Sequence, residues 1–148
     1  MGKRRKAREV ALQALYALEV SENPLDIILG DLEKNETLDG ETRGFAAQLI
    51  RETVRNAQAL DGELIPVIQN WEYERIALID KLVLRLALCE ILHFSDIPPK
   101  VTINEAIDLA KKFSTEESGR FVNGILDALF KKLKTENRLV KQGRGLIE

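Results

Sequence analysis

Residues 76–94 constrain this fold more than any other stretch. Between positions 82 and 92 only Arg85 and Glu90 interrupt an otherwise apolar run. A helix that is apolar on every side has to be covered on every side, so this segment belongs in the middle of the molecule. No apolar run in the chain approaches the roughly 20 residues that a membrane span needs.

The remaining segments supply the cover. None shows the sustained alternation of a strand, whereas helical periodicity recurs along the whole chain. Ala7, Val10, Ala11, Ala14, Leu15 and Leu18 predict a first helix over 3–20, ending before Asn23-Pro24. Leu25, Ile28, Leu29 and Leu32 predict a second over 25–34. Phe45, Ala46, Leu49, Ile50, Thr53, Val54, Ala57 and Leu60 predict a third over 41–60. Asp61-Gly62 interrupts it, and Leu64, Val67, Ile68 and Trp71 resume a shorter helix. Pro98-Pro99 ends the apolar helix. Ile103, Ala106, Ile107, Ala110 and Phe113 trace the next helix, with Thr102 and Glu105 at capping-box spacing. Ser114 and Glu117 repeat that spacing ahead of Val122, Ile125, Leu126, Leu129 and Leu133. The tail over 131–144 carries six cations against Glu136, and its glycine-rich end is expected to fray. These segments predict an all-α fold, a compact bundle of six to seven helices. A chain of 148 residues is long enough for one domain with a sizeable core. Its N-terminal half is expected over about 1–60 and its C-terminal half over about 61–140.

Little in the chain suggests catalysis. The single cysteine, Cys89, falls in the apolar helix and reads as a buried small hydrophobe. The single histidine, His93, is expected beside the last carbonyls of that helix. One Cys and one His cannot build a Cys/His zinc site, and there is no glycine-rich phosphate loop or nucleophile elbow. No catalytic residue, cofactor or metal is expected. The basic start is not followed by an apolar stretch, so no secretory signal is read and a cytoplasmic location is expected.

Charge is more informative. Lys3, Arg4, Arg5, Lys6 and Arg8 put five cations and no acid in the first eight residues of a chain with net charge −2. They ride on the first turns of a helix, which predicts a rigid positive patch and an anionic partner, most naturally nucleic acid. On charge alone, a basic extension kept for solubility explains them equally well. Residues 22–41 hold seven acids against Lys34 alone, so that segment cannot face the same polyanion. On a helical wheel Tyr16 lies opposite the apolar stripe, within about 20° of Arg5 and about 40° of Leu12. A cation beside an exposed ring suits single-stranded RNA, whose unstacked bases lie on aromatic faces. Burial is expected for Leu12 and exposure for Tyr16. In the last long helix Phe121, beside Arg120, sits at the flank of the core stripe as rim or stacking platform. Asn123-Gly124 is expected to serve close helix packing.

Four blocks of the chain resemble the NusB family of bacterial antitermination factors. They are Arg8-Glu9-Val10-Ala11-Leu12-Gln13-Ala14-Leu15-Tyr16, then Asp80-Lys81-Leu82-Val83-Leu84-Arg85-Leu86-Ala87-Leu88-Cys89-Glu90-Ile91. The most specific block follows, Ile97-Pro98-Pro99-Lys100-Val101-Thr102-Ile103-Asn104-Glu105-Ala106-Ile107-Asp108-Leu109-Ala110-Lys111. Phe121-Val122-Asn123-Gly124-Ile125-Leu126-Asp127 completes the set, in the family's order. The resemblance implies two packed three-helix bundles without catalytic activity. It also implies binding of boxA RNA as a heterodimer with the ribosomal protein NusE, within the RNA polymerase antitermination complex. By the same resemblance Lys3, Arg4, Arg5, Lys6, Arg8 and Tyr16 contact RNA, Glu117, Arg120 and Phe121 form a second patch near the RNA, and Asp80 lies near the partner and RNA surface, serving one or the other. Two departures are Cys89, where relatives often carry Tyr, and Ser118-Gly119, where bulkier polar residues can occur. The same fold opens some ribosomal RNA cytosine methyltransferases. A protein–protein adaptor is the other alternative, and a homodimer of the free protein stays open.

Overall fold

A computed structural model describes residues 2–68 and 73–146, which hold seven α-helices. They are α1 (Gly2–Val20), α2 (Leu25–Glu33), α3 (Gly40–Arg55), α4 (Ala57–Leu64), α5 (Leu78–His93), α6 (Pro99–Phe113) and α7 (Glu116–Thr135). Single 3-10 turns lie at Tyr73–Arg75 and Gly143–Leu146. No described helix is long and apolar enough to cross a membrane. The chain divides into two compact units, Met1–Arg55 with α1–α3 and Asn56–Glu148 with α4–α7.

In the first unit α1 packs chiefly on α3. The side of α1 that is buried comprises Ala7, Arg8, Ala11, Leu12 and Leu15. This stripe is rotated from the expected one, leaving Val10, Ala14 and Leu18 half-buried and drawing Arg8 inward. Ala46, Leu49, Ile50 and Thr53 meet it from α3. Asp39 starts α3 by accepting the Thr42 amide at 2.8 Å, as an N-cap carboxylate does. That bond holds the Asp39 carboxyl below its ordinary range.

The expected long third helix is broken, but five residues earlier than expected. The break falls at Asn56, whose backbone leaves the helical region, and Asp61-Gly62 lies inside α4. Asp61 stays helical because it is held from outside. Arg85 of α5 grips it with Nε at 2.7 Å and Nη2 at 2.9 Å, and the Tyr73 hydroxyl donates to it at 2.6 Å. Burial, with this bond, pushes the Tyr73 hydroxyl well above the ordinary tyrosine range. The second unit holds four helices, with α4 standing in place of the short helix expected from Leu64 onward. Trp71, expected to extend the short helix, lies outside the described residues.

The second unit is organised around α5, as residues 76–94 predict. Ten of its sixteen residues are buried, Cys89 among them. Its two polar interruptions are both partnered, since Arg85 meets Asp61 and the buried Glu90 accepts from Thr102 Oγ1 at 2.9 Å. Thr102 is therefore not a cap. α6 starts earlier, with Pro99 at the first position, where its missing N–H costs nothing. α7 is capped by Thr115, whose hydroxyl accepts the Ser118 amide at 3.0 Å, one residue beyond the expected Ser114.

The C-terminal end of α7 is a Schellman motif. The Arg138 amide reaches Leu133 O at 2.9 Å and the Asn137 amide reaches Lys134 O at 3.1 Å. Asn137 takes the left-handed conformation this requires, φ 56°. The tail then returns to the end of α5 instead of fraying. Gln142 N donates to Ser95 O at 2.9 Å and Lys141 Nζ to Phe94 O at 2.9 Å. Gly145 is buried so tightly that a Cβ there would collide with the Ser95 carbonyl. Lys141 thus takes the place at the last carbonyls expected for His93, whose side chain is exposed.

Candidate nucleic-acid interface

The basic start is ordered helix, not a loose leader. Lys3, Arg4, Arg5 and Lys6 are exposed on the first turns of α1. Lys3 Nζ sits 3.2 Å from Glu41 and 3.5 Å from Asp39, both on exposed surface, and these carboxylates raise its pKa. Arg4 lies over the Phe45 ring, its guanidinium carbon 4.7 Å from the ring centroid. The α3 side chains Phe45 and Glu41, with its cap Asp39, therefore fasten Lys3 and Arg4 to the scaffold. Sequence reading missed that role, because each looks only like a core or surface position of its own helix.

Arg8 differs from the other four. It is only 5% exposed, with its guanidinium 5.6 Å from the same Phe45 ring. The exposed array is therefore four residues, with Arg8 behind it. Position 8 lies four residues before Leu12 and seven before Leu15, so a stripe that includes Leu12 must bury it as well. Leu12 is buried as expected, at 1% exposure, while Tyr16 is 40% exposed. Tyr16 is set about 16 Å along the helix axis from Arg5, on the same side.

The second unit carries a separate group. Glu117 and Arg120 are exposed in the first turns of α7 and Phe121 is half-buried beside them. Asp80 is not on the surface at all. It is 7% exposed, its Oδ2 accepts from Ser118 Oγ at 2.9 Å, and its Oδ1 is buried with no hydrogen-bond partner. The Asp80 side chain is thus held inside the second unit by its bond to Ser118. Ser118 and Gly119 are buried too, and a Cβ at Gly119 would press on the Lys111 side chain. That explains the small residues at this departure from the family pattern. Gly124 is exposed with open space around it, so the close packing expected of Asn123-Gly124 does not occur.

Among the described residues no group of His, Cys, Asp or Glu is placed to hold a metal ion. What the geometry offers is a fixed row of cations with an exposed ring on one helix, and an arginine–phenylalanine pair on another.

Known proteins match this chain in sequence and fold. The NusB family model matches residues 5–131. The transcription antitermination protein NusB of Salinibacter ruber is 43% identical over 148 residues, covering 99% of this chain and 92% of the relative. That of Chloroherpeton thalassium is 42% identical over 146 residues, covering 98% and 69% respectively. A solved structure of the antitermination factors NusB and NusE in complex with double-stranded RNA superposes with a TM-score of 0.78 at 26% identity. It covers 89% of this chain and 98% of that one.

Proposed function

Because this chain belongs to the NusB family, we propose that it is an RNA-binding transcription antitermination factor. It takes boxA-type single-stranded RNA together with the NusE ribosomal protein and promotes read-through of terminators in ribosomal RNA operons. It works by binding and not as an enzyme, in the cytoplasm where the transcript emerges. The observation that carries this reading is the ordered α1, which presents Lys3, Arg4, Arg5 and Lys6 and exposes Tyr16 at the flank of its buried stripe.

Phosphates lie along the cations and supply affinity without regard to sequence. A base stacks on Tyr16, and Arg120 with Phe121 offers RNA a second stacking surface on the other unit. Bases held on rings, not phosphates, then supply the preference. Filter binding of boxA-like and scrambled RNA, each with and without NusE, tests this. The boxA-like strand is expected to bind better, and better still with the partner. Equal binding under both conditions would make the chain a protein–protein adaptor instead.

A further inference from the structure

The buried Asp80 carboxylate has no part in the surface chemistry, yet it is the terminus of an ordered hydroxyl chain. Ser118 Oγ donates to Asp80 Oδ2 at 2.9 Å. With its O–H directed at Asp80, the Ser118 oxygen accepts from Thr115 Oγ1 at 3.1 Å, and Ser114 Oγ lies 2.8 Å away. Thr115 in turn receives the Ser118 amide at 3.0 Å. All three hydroxyls belong to the two-residue corner between α6 and α7 and to the first turn of α7. Asp80 belongs to the first turn of α5, so the chain ties that corner to the central helix.

We propose that Asp80 is a positioning residue which, through Ser118, fixes the first turn of α7 and so sets the pose in which Glu117, Arg120 and Phe121 meet RNA. The inference rests on the RNA reading above and goes beyond it. Three features carry it. Glu117 precedes Ser118 directly, and Arg120 and Phe121 follow within one turn, so a rotation of Ser118 moves all three. The joint has only Ser114 and Thr115 to absorb a rotation, and both are bound into the same network. Finally, Asp80 keeps a buried oxygen without a partner. An apolar side chain would fill that site without this cost, so what holds an acid there is its bond to Ser118.

The experiment uses the full chain and a short boxA-like single strand, with hydrogen exchange read alongside. Ser118→Ala and Asp80→Ala are each expected to lower RNA affinity roughly fivefold, and the double variant to lose no more than the worse single. Asp80→Asn, whose carbonyl still accepts from Ser118, restores binding to within about twofold. Amides over 116–121 exchange faster in the alanine variants while those of α5 do not change. Unchanged affinity in folded variants, additive losses, or faster exchange throughout α5 and α7 would overturn the proposal. If Asp80→Ala fails to fold, Ser118→Ala and Asp80→Asn decide between the same outcomes. An unmutated chain that ignores RNA overturns the RNA reading before any variant is made. The exchange pattern then separates that failure from a failure of the tie between α5 and α7.

Discussion

Tyr16 shows how much one side chain can reveal. A large ring 40% exposed on a helix otherwise committed to its core has no packing task that accounts for its exposure. Tyr16→Ala is expected to cost roughly 1–3 kcal/mol of RNA affinity at fixed salt, measured by fluorescence titration, with thermal unfolding unchanged. Unaltered affinity would make the ring a packing residue. Its exposure was legible because a single helical wheel separates it from the stripe. The burial of Arg8 was not legible, since it was read with its four neighbours as one basic block and a run of cations looks uniform until the stripe's true centre is known. Leu12 is the residue that moves that centre. The burial of Asp80 was not legible for a different reason: only the resemblance spoke of this position, and its partner Ser118 lies 38 residues away.

At the scale of elements, α5 was legible because burial all round leaves a pattern that no surface helix can share. The break at Asn56 was not legible, since Asp61-Gly62 is the stronger helix breaker by composition. Arg85 and Tyr73 override it through contacts distant in sequence. Caps were off by one or more residues for a local reason: Ser114 and Thr115 are adjacent hydroxyls, and only the backbone geometry decides which one faces the Ser118 amide. The end of α5 depends on a residue 47 positions downstream of Phe94, which no local pattern can announce. Lys141 also reaches Glu90 O at 3.4 Å, and burial holds its amine below the ordinary lysine range. Lys141→Met keeps most of the aliphatic stem and removes the donor. It is expected to cost about 1–2 kcal/mol in urea denaturation, because two carbonyls lose a charged partner. No change in midpoint would show that water replaces the amine.

For the whole molecule, charge sets the character of binding. A net charge of −2 means that general attraction to polyanions is absent, and affinity has to come from the local array. The acids at Glu22, Asp26, Asp31, Glu33, Glu36, Asp39 and Glu41 are all exposed in the same unit as that array. With four exposed cations on a single strand, log affinity is expected to fall with log salt at a slope near −3. Changing Arg4 and Arg5 together to alanine should bring the slope to about −1.5 in the same titrations. A slope indifferent to both substitutions would remove the start of α1 from the interface. The chain divides between Arg55 and Asn56, at a break that contacts distant in sequence decide.

The Lys3 ammonium already has two carboxylate neighbours, Asp39 and Glu41. A phosphate arriving there competes with oxygens of the protein itself, so the first electrostatic step is an exchange of anions and yields little net gain. Any polyanion meets this handicap equally. Strands that bring a base to the tyrosine have a compensating contact and stay, while bulk nucleic acid, offering charge alone, is let go.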